Sequence, residues 1–100
     1  MAGYLRKTAL SPAEVLAVAE DLIPDRIGLS QAKGTSHDAT YTGAEGTVSL
    51  SAHRHGAYTE VVANTDRLGT SRLDYEIQKF LNQLPYEPFD HGGPGRGEPT

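Results

Sequence analysis

The stretch from Ser36 to Thr65 constrains this chain more than any other. It is rich in threonine, valine and tyrosine and is punctuated by Gly43, Gly46 and Gly56, the composition of strands joined by tight turns rather than of helix. It predicts a three-stranded antiparallel meander. Two of its strands, Thr47 to Arg54 and Ala57 to Thr65, are separated by His55-Gly56, the length of a two-residue hairpin loop. Pairing Arg54 with Ala57 then sets Ala52 against Thr59, Leu50 against Val61 and Val48 against Ala63, so the apolar residues of both strands share one face. The other face carries His53 across from Tyr58, Ser51 from Glu60, Ser49 from Val62 and Thr47 from Asn64, and is expected to be wet.

The first strand of the meander has two registers open to it. A three-residue connection with Gly46 left-handed turns Asp38, Thr40 and Thr42 into the core, whereas a four-residue loop from Gly43 to Gly46 turns in Ala39 and Tyr41. Burying an unpaired carboxylate is costly, which favours the four-residue loop. Thr40 then joins the wet face, and His37 moves to the edge of the core face near Ala52.

Helices flank this sheet. Ser11-Pro12-Ala13-Glu14 is a capping box with proline at the first helical position. Val15, Val18, Ala19 and Leu22 follow at helical spacing, widened by Leu16 and Ile23. Pro24 is expected to stop this helix, with Ile27 and Leu29 plugging the core edge. A second helix is expected from Ser71, with Asp74 in the capping-box position and Leu73, Ile77, Phe80, Leu81 and Leu84 on one stripe, ending at Pro85. The fold class is therefore α+β in the order α-β-β-β-α, with both helices on one face of an antiparallel sheet of three strands, or four if Tyr4 to Leu10 adds an edge.

Residues 1–85 read as one domain. Residues 86–100 hold Gly92, Gly93, Gly95 and Gly97 with Pro88, Pro94 and Pro99, a tail expected to be mobile from about residue 92. Its front end offers Tyr86 and Phe89, which could dock back onto the body. A body this short has one thin core and little room for an internal ligand cavity.

Composition removes several function classes. No apolar run approaches the roughly 18–20 residues of a membrane helix, and Arg6 and Lys7 interrupt the start where a secretory signal needs an apolar segment. The expected location is the cytoplasm, with no membrane partner. The chain has no cysteine, which excludes disulfides, thiolate metal sites and a cysteine nucleophile. Nine basic against thirteen acidic residues give a formal net charge of −4, so no general field draws a nucleic acid. The glycines near the C-terminus open no helix and follow no strand, so they do not read as a phosphate loop.

His53-Arg54-His55 is the sharpest chemical feature, because histidines two apart on a strand project to one side and can share a metal. The predicted hairpin takes His55 out of that alternation, and the favoured register withdraws His37 as a further ligand. Asp38 and Glu60 are the carboxylates that would complete such a site. Ser51, His53, Asp38 and Glu60 supply the residue types of a hydrolase, yet no Gly-x-Ser-x-Gly elbow is present and an open sheet face provides neither oxyanion donors nor exclusion of water. The reading favoured is a non-catalytic binding or assembly module without a cofactor, working through Thr40, Ser49, Ser51, His53, Tyr58, Glu60 and Val62. Its partner is a second copy in a two-fold dimer or an unidentified protein. The alternative is a small enzyme or metal-binding protein centred on His53, with His55, Asp38 and Glu60.

Overall fold

The structure, a computed structural model, describes residues 2–85. The expected tail, 86–100, lies outside the described residues, as do Tyr86 and Phe89. The described elements run β1 (Ala2–Thr8), α1 (Pro12–Ile27), β2 (Ser30–Gly34), β3 (Asp38–Gly43), β4 (Gly46–His55), β5 (Tyr58–Thr65) and α2 (Arg72–Asn82). The strands form one sheet in the order β1-β5-β4-β3-β2, antiparallel throughout. The class is α+β, with five strands where the sequence predicts three or four.

Both additional strands are edges. β1 occupies the segment in which the sequence left an edge strand open, starting at Ala2 and ending at Thr8. β2 has no counterpart in the sequence reading. Its residues, Ser-Gln-Ala-Lys-Gly, are all exposed, and none is β-branched or aromatic. An edge strand is bonded on one side only, so it can form on its neighbour without propensity of its own.

α1 begins as its capping box requires: the Glu14 amide donates to Ser11 Oγ at 3.2 Å, and the Ser11 amide donates to Glu14 Oε1 at 2.8 Å. It does not stop at Pro24. The helix continues to Ile27 and closes at Gly28, whose φ of 78° is left-handed and whose amide donates to the Pro24 carbonyl. A proline in the last turn removes one donor, to the Glu20 carbonyl, and Glu20 is exposed, so water can replace it. The extension buries Ile27, and Leu29 follows it into the core. α2 opens at Ser71, whose Oγ accepts from the Asp74 amide at 3.1 Å, and it ends at Asn82, before Pro85.

The meander has its expected faces but not all of its expected pairs. Thr42 pairs with Thr47 and Tyr41 with Val48, the register of the four-residue loop. Gly43 and Gly46 also pair, leaving Ala44 and Glu45 as the connection. Between β4 and β5 the loop is Gly56-Ala57 rather than His55-Gly56, so Ala52 meets Val61 instead of Thr59 and Leu50 meets Ala63 instead of Val61. Turns that match strand twist need a positive φ at their first loop residue. Gly56, at φ 62°, takes that position without the Cβ penalty that a histidine there would carry. The slip is by two residues, so every side chain keeps its face.

All helical burial is on one side of the sheet. Val15, Ala19 and Ile23 of α1 and Leu73, Ile77 and Phe80 of α2 close over Ala39, Tyr41, Val48, Leu50, Ala52, Val61 and Ala63 in a single cluster. α1 packs on β2, β3 and β4, and α2 on β1 and β5. The opposite face of the sheet has no described helix over it.

Candidate functional site

The uncovered face is laid out in rows across the strands. One row is His53, Glu60 and Lys7; the next is Asp38, Ser51, Val62 and Leu5; a third is Thr40, Ser49, Asn64 and Gly3. All seven residues of the sequence-predicted surface, Thr40, Ser49, Ser51, His53, Tyr58, Glu60 and Val62, stand on this face. Their pairs are those of the shifted register: His53 faces Glu60 rather than Tyr58, Ser51 faces Val62, and Ser49 faces Asn64.

β1 extends the face in a way the sequence reading did not include. Leu5, 58% exposed, is the direct cross-strand neighbour of Val62, and Lys7 that of Glu60. The apolar part of the face therefore sits over β1 and β5, while the β3–β4 side is hydroxyl-rich. The only sequence signal for Leu5 was the weak alternation of the Tyr4–Leu10 segment, because pairing with β5 is a long-range event.

Tyr58 is held from two sides. Its ring stacks on His55 with centroids 5.8 Å apart and an interplanar angle of 18°, and Lys7 Nζ lies 5.1 Å from its centroid, within cation–π reach. His55 Nε2 also approaches Glu60 Oε1 at 3.5 Å. Strand pairing places His55 opposite Tyr58, so His55 belongs to β4 and not to the hairpin loop expected for it.

His37 corrects another expectation. Its carbonyl accepts from the Ala52 amide at 2.8 Å, as the favoured register requires, but its side chain is not on the core face. His37 lies in the turn before β3, where strand alternation does not apply, and its ring stacks on His53 at 5.4 Å and 7°. Asp38 is tied into the same turn: its amide donates to Thr35 Oγ1 at 3.0 Å, and that hydroxyl donates to Asp38 Oδ2 at 3.3 Å.

The residues of the alternative metal or hydrolytic site are thus spread out. His53 and Glu60 share a row, His55 reaches Glu60, and Asp38 lies on β3, two strand spacings or about 10 Å from β5. Ser51 shares its row with Asp38 and Val62, not with His53. Among the described residues no group of three or more histidine, aspartate or glutamate side chains could hold a metal ion.

The core side fixes which residues β1 presents. Tyr4 points inward and donates to Asp74 Oδ1 at 2.8 Å, which by alternation turns Gly3 and Leu5 to the open face. Asp74 is fully buried and also accepts from Thr65 Oγ1 at 2.8 Å and Ser71 Oγ at 2.5 Å. Burial opposes its charge, but donation from Ser71, Thr65 and Tyr4 outweighs that, and its carboxyl is held below the usual range. Burial first, and then the bond to Asp74, raise the Tyr4 phenol.

The helix-side groove lies away from the open face's apolar strip, whereas Leu5 of that strip also lines a groove beside α2. A groove of about 560 Å³ on the helix side is lined by Ala17, Val18, Leu22, Glu20, Asp21 and Gln83. One of about 160 Å³ runs between β1 and α2. Among the described residues no helix is long and apolar enough to cross a membrane. The chain matches no protein-family model, no curated protein and no solved structure.

Proposed function

We propose that this chain is a non-catalytic binding module whose working surface is the uncovered sheet face, with another protein chain as its partner. The observation that carries this reading is the asymmetry of the two faces. Both helices cover one side, while the other presents Leu5 and Val62 side by side in one row and Tyr58 two rows along β5, beyond the row of Glu60 and Lys7. Tyr58 is already positioned between His55 and Lys7, so ordering it on binding costs little entropy. Covering Val62, which is half-buried in the free chain, contributes up to about 1.5 kcal/mol. His53, Glu60, Ser49, Ser51 and Thr40 form the polar surround that fixes orientation.

Selection of phage-displayed peptides against the intact protein tests this. The selected peptides are expected to compete with one another and to bind at least about tenfold more weakly, or 1.4 kcal/mol, to the Tyr58→Ser/Val62→Ser double variant. That variant should keep the parent's far-UV circular dichroism and urea midpoint. Peptides that bind parent and variant equally would move the working surface elsewhere.

A further inference from the structure

We infer that residues 86–91 add a sixth strand to the outer edge of β1, antiparallel to it, in the register that sets Glu87 against Lys7 and Phe89 against Leu5. The inference does not rest on the open face being a binding surface, because an added edge strand extends that face without covering it.

The chain is led onto this edge where the described residues end. Arg6 Nε donates to the Leu84 carbonyl at 3.2 Å, and the Ala9 amide donates to the Pro85 carbonyl at 3.3 Å. The second bond is the rung at which a ladder on β1 begins. The Asp66 amide donates to the Thr47 carbonyl, so even-numbered positions of β5 bond β4 and odd-numbered ones bond β1. The partners of those odd positions are Ala2, Tyr4, Arg6 and Thr8. The amides and carbonyls of Gly3, Leu5 and Lys7 therefore aim off the sheet, in step with Ala9. Pairing beyond Pro85 has one direction open to it, since β1 gives way to the turn into α1 on one side of Ala9 and runs its whole length on the other.

The residues that follow fit β1 position by position. With Pro85 opposite Ala9, Glu87 falls opposite Lys7 and Phe89 opposite Leu5. Lys7 then stands between two carboxylates, Glu87 and its β5 neighbour Glu60, and Leu5, 58% exposed, gains an aromatic neighbour. A slip of one residue would turn Phe89 to the helix side, and a slip of two would part both pairs. Pro88 falls opposite Arg6, in a pair that exchanges no hydrogen bonds, which is where an edge strand accepts proline. Proline also holds the residue before it, Glu87, in extended backbone. The match ends where β1 does, because Gly92 falls opposite Ala2, the first residue of the strand.

The groove beside α2 follows the same edge. Leu5 lines it from the open face, Tyr4 and Arg6 line it from the helix side, and Leu81 and Asn82 stand above. A groove touched by both faces of β1 runs along the strand's rim, and Pro88, on the helix side with Arg6, is the residue that enters it.

Hydrogen exchange of the full chain, read amide by amide, tests the ladder. The Leu5 and Lys7 amides, which β5 does not bond, are expected to exchange at least about a hundredfold slower than in an unfolded peptide. Phe89→Pro removes a donor from the ladder and should abolish that protection, while the Tyr4 and Arg6 amides, bonded to β5, keep theirs and show that the domain remains folded. The chain has no cysteine, so a disulfide reports the register. Lys7→Cys/Glu87→Cys should close within one chain, as Cα atoms about 5.5 Å apart allow. Lys7→Cys/His91→Cys, four residues or about 13 Å out of step, should close at least about tenfold more slowly, being beyond the roughly 7 Å limit. Unprotected Leu5 and Lys7 amides in the parent, protection that survives Phe89→Pro, or equal closure of the two pairs overturns the inference. So does protection that grows with protein concentration, which would assign the edge to a second copy.

Discussion

The Tyr4 hydroxyl and the Asp74 carboxylate meet at 2.8 Å across 70 residues of sequence, and this contact ties the edge strand β1 to the first turn of α2. Asp74 closes the N-terminus of α2, where a negative charge is favoured, and it gathers the hydroxyls of Tyr4, Thr65 and Ser71. Replacing it by alanine leaves three hydroxyls without their acceptor in or near the core. Asp74→Ala is expected to cost about 3 kcal/mol, read as a lower urea midpoint at unchanged slope. Tyr4→Phe, which removes one donor and keeps the ring, should cost about half as much.

The same carboxylate gives stability an acid limb. Its pKa in the folded chain is lowered, so its contribution is complete above the unfolded value, near 3.9, and is lost as pH falls through that value toward the folded one. Urea midpoints between about pH 6 and pH 2 should therefore decline below about pH 4. The decline should be shallower in Asp74→Asn, which has no proton to take up there. Equal slopes in parent and variant would show that other carboxyls, such as Glu14 in its capping box, carry the limb.

What the sequence disclosed follows from where each signal resides. α1, α2 and the facing of β3, β4 and β5 were legible because caps, stripes and alternation are local and agree with one another. β2 was not, because an exposed edge strand needs only a neighbour's free carbonyls and amides. The open face was legible by parity, which survived a one-residue error in the β4–β5 loop because that error shifts the pairing by two. Leu5 and the stacking of His37 on His53 were not, since one depends on β1 crossing to β5 and the other on a turn residue outside the alternation. Asp74 read as a cap from Ser71, but nothing local announced the bonds from Tyr4 and Thr65.

Pro24 marks a place where stability has been given up. In the last turn of α1 it leaves the Glu20 carbonyl without an intrahelical donor. Pro24→Ala supplies that donor and a better helix former, against a looser unfolded chain. A net gain of about 1 kcal/mol is expected, or a rise in Tm of roughly 4–8 °C for a domain of this size. Calorimetry checks it, and a fall in Tm would mean that the proline ring, half-buried, packs better than it bonds.

Tyr41 supplies the corresponding alkaline limb. Its ring is 1% exposed, and its hydroxyl donates to Glu20 Oε1 at 3.1 Å, fastening the centre of β3 to α1. Burial first, and the neighbouring carboxylate second, raise its phenol well above the ordinary value. A raised pKa contributes stability that is whole below the unfolded value, about 10, and drains away as pH climbs beyond it. Tyr41→Phe keeps the packing and loses the hydrogen bond, so it should cost about 1–2 kcal/mol at neutral pH and flatten the fall in stability above about pH 10. In the parent, tyrosinate absorbance from Tyr41 should develop only as the chain unfolds. Titration of every tyrosine with circular dichroism unchanged would show instead that Tyr41 reaches solvent without unfolding, and that its bond to Glu20 opens locally.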